Sequence, residues 1–450
     1  MSADPLYQEV TDPGSLAPFG EEIEAGNPSG WPTYARLLQR ARRATGARHA
    51  VTTGLARVGG HPCVVVGFEY AFIGGSLGVA EGTKIARAFS IAIARRLPVV
   101  SVAASGGARM QEGTSALVQM QVIAAAVAAA RNAGIPHIAV AGDPTTGGVW
   151  SSLVAGADMV LAVTGARISF SGTRTRPAGA DPGSPHYDAV GQWERGFVDA
   201  VLPAAALRDQ VAVILGLLSP RSRGDDSSPP CLVPAGAKPS ADAWAQVSAA
   251  RQAHRVRVEQ WLAAYFGASF EIRGDRCGGV DISLRCGFGA RDGATVGYIA
   301  QTGQPTTAAG FRTAKRLVTL ANRFRRPVLT LVDTPGASAM PDDEAAGVGP
   351  AIAELLISLA SAQIPVTSVV VGQGVSGGAV ALASPASLWM APGGFLAVTT
   401  PEHATSILKL PASEVPQVAA RLRLTPADLI SRGIARGLVQ PPARPDPAGG

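Results

Sequence analysis

Residues 97–113 read LPVVSVAASGGARMQEG and residues 135–150 read IPHIAVAGDPTTGGVW, and these two stretches decide the fold. In each stretch a proline precedes a β-branched apolar run, small residues follow, and a Gly-Gly pair opens a segment of helical composition. The predicted order is strand, glycine turn, helix. Such a junction points backbone N–H groups outward, where they can hold an anion or a carbonyl oxygen that becomes one.

The same arrangement recurs in the C-terminal half, at residues 326–344 (RPVLTLVDTPGASAMPDDE) and 364–383 (IPVTSVVVGQGVSGGAVALA). A single Gly-Gly pair is most simply a tight strand-to-helix turn, because glycine motifs alone match many unrelated loops. Four proline-led strands that each end at a glycine-bearing loop indicate an internal duplication. The sequence therefore predicts an α/β protein with two similar halves.

Length and composition favour a globular α/β enzyme. The 450 residues are enough for two domains, and 47% hydrophobic against 16% charged residues excludes a disordered chain. Gly, Pro or charge interrupts each apolar run before membrane-spanning length, and the N-terminus has no signal-peptide pattern. We expect a soluble cytoplasmic enzyme that does not bind a membrane.

Charge and cysteine content exclude two further classes. The formal charge of +6 comes from arginines spread along the chain, without Lys-rich tracts, so we expect no nucleic-acid partner. The four cysteines form no C-x-x-C pair and have no regular spacing, so neither a zinc ribbon nor a disulfide framework is predicted. No metal site is expected.

The chain is predicted to contain five segments. A stretch rich in Pro, Ser and Gly separates the two halves, and both ends of the chain lack periodicity. The segments are a flexible leader (1–30), an N domain (31–218), a linker (219–240), a C domain (241–439) and a disordered tail (440–450). The basic stretch 31–45 is predicted to be an amphipathic helix that caps the N domain.

The longer motifs resemble a known enzyme. Residues 37–202 resemble the carboxyltransferase β subunit of bacterial acetyl-CoA carboxylase, through HPCVVVGFEYAFIGGSLG, LPVVSVAASGGARMQEG, DPTTGGVWSS and GFVDAVL. Residues 251–439 resemble the α subunit, through GDRCGGVD, GFRTAKRL, RPVLTLVDTPGA, GQGVSGGAVALA and TPEHATSIL. The chain thus resembles a natural β–α fusion.

The resemblance implies a fold and partners. The fold would be two tandem crotonase-like (ClpP/crotonase superfamily) domains, each a β-β-α spiral, with acyl-CoA bound by the N half and biotin received by the C half. The reacting pocket would form between the N half of one chain and the C half of another, in a dimer or larger homo-oligomer. Neither an AMKM-like biotin attachment site nor an ATP-grasp segment occurs, so biotin carboxyl carrier protein and biotin carboxylase would be separate chains.

The leading hypothesis is carboxyl transfer from carboxybiotin to acetyl-CoA or another short acyl-CoA, giving malonyl-CoA for fatty acid or polyketide biosynthesis. Two oxyanions need donors, and no protein nucleophile is required. We predict that Gly106 and Gly107 hold the thioester oxygen, and that Gly377 and Gly378, with the N–H of Ala379, hold the biotin oxygen. The alternatives are a malonate or malonyl-CoA decarboxylase and a non-catalytic carboxylase scaffold.

Further substrate-binding candidates lie around the first glycine pair. The predicted residues are Gly74, Gly75, Ser76, Gly147, Gly148, Arg109 and Lys84. Residues 71–78 and 105–113 are predicted to line one cleft. For Gly147 and Gly148, close packing at a helix start explains the glycines as well as a binding role does. For Arg109, an ion pair with Glu112 that fixes the loop is favoured over a catalytic role. Lys84 would contact a CoA phosphate or, alternatively, lie on a solvated helix face.

The sequence departs from the family pattern in three places. The β subunit's four-cysteine zinc ribbon is missing ahead of Trp31, so no zinc is expected. The loop after Asp333-Thr334-Pro335-Gly336 is altered to SAMPDDEAAGVG, and His403 replaces a glycine. His403 is not expected to act as a base.

Overall fold

The structure is a computed structural model that describes residues 5–172, 176–179, 181, 183–219, 230–236, 242–384 and 386–440. The chain divides into two compact units, residues 1–220 and 221–450. The division falls inside the segment 219–240 that the sequence predicts to be a linker, and most of that segment lies outside the described residues, as do residues 441–450 of the predicted tail. The domain boundaries drawn from the sequence stay predictions.

The N-terminal unit alternates strands and helices in the order that the glycine motifs predict. Its strands are β1 Ala17–Phe19, β2 Val51–Val58, β3 His61–Phe68, β4 Val99–Ser105, β5 His137–Thr146, β6 Met159–Val163, β7 Ile168–Ser169 and β8 Ala200–Leu202. Its helices are α1 Leu6–Val10, α2 Tyr34–Thr45, α3 Val79–Arg95, α4 Thr114–Asn132, α5 Gly147–Val149, α6 Ala189–Glu194 and α7 Ala204–Leu218. A π-helical turn, Trp150–Val154, continues α5.

One mixed sheet organises this unit. β1, β2 and β3 pair antiparallel, and β3, β4, β5, β6 and β8 then follow in parallel, with β7 beside the end of β5. The parallel strands are apolar and buried along almost their whole length, as expected when both faces of a sheet are covered. Parallel strands bring their carboxyl ends, and so their glycine turns, to one edge.

Helix α4 has an apolar outer face. It packs on α3, and its Ile123 and Val127 are buried in the core of the unit, whereas Leu117, Val118 and Val122 are exposed. By length and composition α4 is the single helix in the described parts of the chain that could cross a membrane, a criterion that apolar helices of soluble proteins also meet. The structure thus leaves an apolar helix face uncovered on this unit.

The leader is ordered where the structure describes it, which corrects the prediction of a flexible segment over residues 1–30. Helix α1 lies against α7 and β3, with Tyr7 and Val10 buried, and β1 pairs with β2 through Phe19 opposite Thr53. The sequence hid these elements because both are short and neither shows a full hydrophobic period. Helix α2 begins at Tyr34, three residues inside the predicted stretch.

The C-terminal unit repeats the plan. Its strands are β9 Val233–Pro234, β10 Ser269–Ile272, β11 Leu284–Arg291, β12 Ala294–Gln301, β13 Val328–Thr334, β14 Val366–Val375, β15 Leu388–Met390, β16 Phe395–Ala397 and β17 Val439–Gln440. Its helices are α8 Ala243–Arg251, α9 Val258–Tyr265, α10 Ala308–Phe324, α11 Pro341–Ala345, α12 Val348–Ala360, α13 Ser376–Val380, α14 Pro401–Ile407, α15 Val415–Arg421 and α16 Pro426–Ser431.

Its main sheet has the same sequence of pairings as the first. β10, β11 and β12 are antiparallel, β12 to β15 are parallel, and β16 lies beside the end of β14. Helices α10 and α12 pack together as α3 and α4 do, and α12 also exposes apolar residues, Leu356 and Ile357. β9 and β17 form a small separate pair.

Candidate functional site

The two glycine pairs of the N-terminal unit meet at one edge of its sheet. Strands β4 and β5 pair in parallel, with Ser105 opposite Thr145. A Cβ atom placed on Gly107 would lie 3.7 Å from the Gly147 Cα and 3.9 Å from the Gly148 nitrogen. The structure therefore brings together the two turns that the sequence singled out.

The loop that follows β3 lies directly beside the first glycine pair. The Gly106 N–H donates to the Gly74 carbonyl at 2.9 Å, and the Leu77 N–H donates to the Gly107 carbonyl at 2.8 Å. Gly75 adopts φ +60°, and a Cβ there would lie 2.0 Å from a carbonyl oxygen of β4, so a larger residue does not fit. The two loops predicted to share a cleft are thus neighbours on one edge of the sheet.

These contacts use the N–H groups that were predicted to bind the thioester oxygen. Gly106 donates to Gly74, and the Gly107 N–H donates to the Ser105 Oγ at 3.1 Å. Both N–H groups are therefore engaged within the fold in this structure, and the assignment of Gly106 and Gly107 as oxyanion donors stays a prediction. Their place in the structure is to join the two loops.

The second glycine pair has two distinct environments. Gly147 adopts φ +61°, and its N–H donates to the Phe170 carbonyl at 3.1 Å. Gly148 lies in the first turn of α5, where N–H groups have no partner within the helix. A Cβ on Gly148 would lie 3.0 Å from the Met120 side chain of α4. Gly148 therefore meets a packing requirement and is also placed to present its N–H.

Arg109 lies in a buried ionic cluster. Its Nη2 donates to Glu81 at 2.8 Å and to the Ser76 carbonyl at 2.6 Å, and its Nε donates to the Ser76 Oγ at 3.1 Å. Its Nη1 lies 3.0 Å from the Tyr34 hydroxyl and 3.5 Å from Glu112, the partner predicted from the sequence. Every guanidinium nitrogen is thus engaged, and Arg109 and Ser76 hold the loop in place, while their contact with a substrate stays a prediction.

The cluster joins three elements of the N-terminal unit. The Tyr34 hydroxyl, on α2, hydrogen-bonds Glu112, whose other oxygen accepts the Val79 N–H of α3 at 2.6 Å. Burial raises the pKa of Tyr34 above its usual value, so the phenol stays protonated. Burial opposes the charge of Arg109, but Glu81 and Tyr34 outweigh this effect and raise the pKa of its guanidinium. The cluster is therefore charged, paired and shielded from water.

Lys84 is also buried, which corrects the prediction of an exposed helix residue near the phosphates of CoA. Its side chain is 1% exposed, and its Nζ lies 2.6 Å from a carboxylate oxygen of Glu21. The partner comes from the leader, 63 residues earlier in the chain. The Lys84 ammonium group thus forms an ion pair within the N-terminal unit.

The C-terminal unit has matching turns. Gly336 adopts φ +135°, and its N–H donates to the Thr334 Oγ1 at 3.1 Å, as Gly107 does to its own hydroxyl partner. The Thr306 N–H donates to the Gly336 carbonyl at 3.2 Å, and the Ser338 N–H donates to the Thr306 carbonyl at 2.8 Å. Loop and strand are therefore joined by the same ladder as in the first unit.

The glycines predicted for biotin have unequal surroundings. Gly378 packs against the neighbouring loop, because a Cβ there would lie 2.3 Å from the Ala337 nitrogen. A Cβ on Gly377 would meet nothing within 4 Å, so this position faces open space. The left-handed residue of the turn is Ser376, with φ +61°. The N–H groups of Gly377, Gly378 and Ala379 lie in the first turn of α13.

Strand register relates the two units position by position. Ser105 lies opposite Thr145, and Thr334 lies opposite Gly374. Counting on from these pairs, the equivalent positions are Gly106 and Pro335, Gly107 and Gly336, Gly147 and Ser376, Gly148 and Gly377, and Val149 and Gly378. Proline has no N–H, so the position of Gly106 cannot supply a donor in both units. The turns after β5 and β14 contain no proline at the equivalent positions, so they can supply N–H donors in both units.

Two buried polar residues of the C-terminal unit were not found from the sequence. Asp333 is fully buried and pairs with Arg255 at 2.5 Å, while its other oxygen accepts the Gln373 N–H at 3.0 Å. Burial raises the pKa of Asp333 despite the guanidinium beside it. Gln301, the last residue of β12, is also fully buried. The sequence signal that could have identified Asp333 and Gln301 is a polar residue near the end of an otherwise apolar strand.

The sites of departure from the family pattern lie on the surface. His403 is exposed, and its N–H donates to the Thr400 Oγ1 at 3.2 Å at the start of α14. The altered loop forms α11, and Ser338 hydrogen-bonds Asp343 there. The prediction that His403 is not a base stays a prediction.

The four cysteines form no disulfide. Cys63 and Cys286 are buried, Cys231 and Cys277 are exposed, and all four are free. Burial raises the pKa of the Cys63 thiol to about 12. Within the described ranges, His, Cys, Asp and Glu side chains form no group of three that could hold a metal ion.

Comparison with known proteins gives matches for both halves. Residues 25–177 match the family described as carboxyl transferase domain, and residues 239–446 match the family described as acetyl co-enzyme A carboxylase carboxyltransferase-like. The beta/alpha carboxyl transferase subunits of acetyl-coenzyme A carboxylase from Salinispora arenicola are 38% identical, over 98% of this chain and 83% of the relative. A biotin-dependent acyl-coenzyme A carboxylase beta3 subunit of Mycobacterium bovis is 32% identical, over 100% and 90%.

Solved structures agree on the fold. A transcarboxylase 12S structure with hydrolysed methylmalonyl-coenzyme A bound has a TM-score of 0.79 at 20% identity, over 97% of this chain and 86% of that one. A single-chain long-chain acyl-CoA carboxylase has a TM-score of 0.76 at 19% identity, over 97% and 45%. These matches confirm the tandem crotonase-like fold. With a β-like N-terminal half and an α-like C-terminal half, the chain belongs to the carboxyltransferase family of biotin-dependent acyl-CoA carboxylases.

Proposed function

We propose that this chain transfers the carboxyl group of carboxybiotin, held on a separate carrier protein, to acetyl-CoA or another short acyl-CoA. The observation that carries the proposal is the matched pair of turns after β5 and β14, which place first-turn N–H groups at equivalent positions of the two units. The reaction places negative charge on two oxygens, that of the acceptor thioester and that of the biotin ureido group. Each unit offers donors for one of them.

On the acyl-CoA side, the proposal assigns the donors to Gly148 and Val149. Their N–H groups lie in the first turn of α5, whereas those of Gly106 and Gly107 are engaged within the fold. Gly107 then has a supporting role, because its hydrogen bonds keep the neighbouring loop in register. Removing one such donor typically costs about 10²–10³ in kcat.

On the biotin side, the proposal keeps Gly377, Gly378 and Ala379. Biotin supplies a carboxyl group that is activated for transfer. The open space at Gly377 leaves room for a ligand to approach the backbone, and the close packing of Gly378 fixes the turn from behind. The chain's own part in catalysis is thus to orient preformed N–H groups and to hold both turns still.

The proposal includes partners and location. Biotin carboxyl carrier protein and biotin carboxylase would be separate chains, and the enzyme would be a cytoplasmic homo-oligomer of at least two chains. Support for self-association comes from the exposed apolar residues Leu117, Val118 and Val122 on α4 and Leu356 and Ile357 on α12. Large exposed apolar patches on folded proteins mark interaction surfaces.

The test is a labelling experiment. The purified chain is incubated with labelled bicarbonate, ATP, biotin carboxylase, a biotinylated carrier and a panel of acyl-CoA substrates, and label is followed into the acyl-CoA product. Label in malonyl-CoA supports the proposal, and label in a longer product would shift the acceptor. Failure to label any acyl-CoA, together with release of CO₂ from malonyl-CoA without biotin, would favour a decarboxylase.

A further inference from the structure

Gln301 makes an unusual contact behind the biotin-side turn. It is the last residue of β12 and fully buried, and its Nε2 donates to the Gly378 carbonyl at 3.0 Å and to the Thr306 Oγ1 at 3.1 Å. Its Oε1 is buried without a hydrogen-bond partner among the residues that the structure describes. A buried polar side chain that is only partly satisfied has a cost, and its presence calls for an explanation.

The geometry of the peptide group gives that explanation. The Gly378 carbonyl and the Ala379 N–H belong to one planar trans peptide, so they point in opposite directions. An amide that holds the carbonyl from behind therefore fixes the direction of the N–H in front. A hydrogen bond to the carbonyl in a buried site also polarises the peptide and strengthens its N–H as a donor.

The second contact of Gln301, with Thr306, stabilises the surroundings of the same turn. Thr306, which receives its other amide hydrogen, donates its N–H to the Gly336 carbonyl at 3.2 Å. Gly378 in turn packs on the peptide between Gly336 and Ala337. The amide thus connects the loop after β12, the loop after β13 and the turn after β14, which are the three segments around the proposed biotin site.

The N-terminal unit shows that the fold itself does not require this amide. Val64 pairs with Val99 in the first sheet, and Gly297 pairs with Val328 in the second. Four residues further along, Phe68 holds the position that Gln301 holds in the C-terminal unit. An apolar side chain is accepted at this register, so the glutamine is specific to the second turn.

We propose that Gln301 is a positioning residue that aims the Ala379 N–H at the ureido oxygen of biotin. This inference rests on the proposed function. It predicts that Gln301→Met, an apolar side chain of similar length, lowers kcat for carboxyl transfer about tenfold to a hundredfold. The KM for acyl-CoA should change less than about twofold, because the change is confined to the biotin side.

Gln246 provides the matched control. It is also a buried glutamine of the C-terminal unit, and its Nε2 donates to the carbonyls of Pro392 and Gly394 at 2.8 Å each. Gln246→Met removes the same kind of contact and should lower the melting temperature without lowering kcat. If both variants lose equal activity for equal loss of stability, the role of Gln301 is only structural and the inference is overturned.

A second variant tests donation directly, and also decides the matter if Gln301→Met does not fold. Gln301→Glu keeps the shape but can donate to the Gly378 carbonyl only when protonated. Its kcat relative to wild type should therefore rise as the pH falls from 8 to 6. A flat ratio would overturn the inference. Wild-type protein that carboxylates no acyl-CoA would instead refute the proposed function, so the two failures are distinguishable.

Discussion

The two glycine turns after β5 and β14 have the same backbone and different supports. In the N-terminal unit, the loop after β4 lies beside the turn and is held by a charged cluster, in which Arg109 is surrounded by Glu81, Glu112 and Tyr34. The turn of the C-terminal unit is held by a neutral amide, Gln301. The comparison shows that strand register and a left-handed residue define the turn, whereas the side chains that support the turn or the loop beside it can differ completely.

The largest expected effect comes from Gly378→Ala. The new Cβ would lie 2.3 Å from the Ala337 nitrogen, a backbone atom that cannot yield without moving the loop. We expect carboxyl transfer to fall by about a hundredfold or more, as when an oxyanion donor is lost. The measurement is kcat for the variant, with folding checked by circular dichroism.

The control for this change is Gly377→Ala. Its Cβ meets no atom within 4 Å, and the backbone is not left-handed there. The variant should fold normally and keep its melting temperature. Equal loss of stability in both variants would contradict the view that only Gly378 supports the turn by packing.

The second prediction breaks the charged support. Arg109→Met leaves Glu81 and Glu112 buried without their cation, so the free energy of unfolding should fall by about 3–5 kcal/mol. Urea unfolding of the full chain measures the change. Arg167→Met is the matched control, because the Arg167–Asp143 pair is about half exposed, and its removal should cost about 1 kcal/mol or less.

The third prediction concerns pH. Burial, and then the charge of Lys84, lower the pKa of His49, while Glu81 and Glu21 act in the opposite direction and Arg42 adds to the lowering. Below its ordinary pKa, His49 is therefore protonated in the unfolded chain while it stays neutral in the folded protein. Above the unfolded pKa of about 6.5 neither state binds this proton, so the titration of His49 does not affect stability. As the pH falls from that value toward the lower pKa of the folded state, the free energy of unfolding decreases.

The pH effect is measured by urea unfolding at pH 7.5 and at lower pH values. His49→Gln should flatten the dependence, since both ring nitrogens of His49 are buried without partners among the described residues. His186→Gln, at an exposed position, should leave the dependence unchanged. An unaltered slope in the His49 variant would refute the assignment.

The smallest effect is expected for Gly106→Ala, which sharpens the assignment of donors. A Cβ there would lie 3.6 Å from the Gly74 carbonyl oxygen, an ordinary contact, and the backbone is not left-handed. Because its N–H serves the loop, carboxyl transfer should stay within about threefold of wild type. A hundredfold loss with intact folding would restore Gly106 as an oxyanion donor.

Local patterns sufficed to predict the strands, the turns and the duplication. The proline-led runs at 97–113 and 364–383 carry their own signals, since strand periodicity and glycine turns are short-range features. The family resemblance and the crotonase-like fold are confirmed by relatives that cover nearly the whole chain. The secondary structure and the family could both be predicted because their signals lie in contiguous residues.

The remaining features depend on contacts between distant residues. The Gly74 carbonyl and the Ser105 hydroxyl accept the N–H groups of Gly106 and Gly107. A Gly-Gly pattern cannot show where those acceptors lie, so it cannot show which N–H groups are free. Lys84 was expected on the surface because its partner, Glu21, comes from a segment with no periodic signal. Gln301 looked like an ordinary strand end until register placed it behind Gly378.

The order in the leader has a consequence for aggregation. β1 is three residues long, contains Pro18, and forms the outer edge of the first sheet, next to the eight-residue strand β2. Short, proline-bearing edges resist pairing with other chains, whereas long exposed edges invite it. A chain shortened to begin at Trp31 would uncover β2 and should form insoluble material more readily on heating, as light scattering would show.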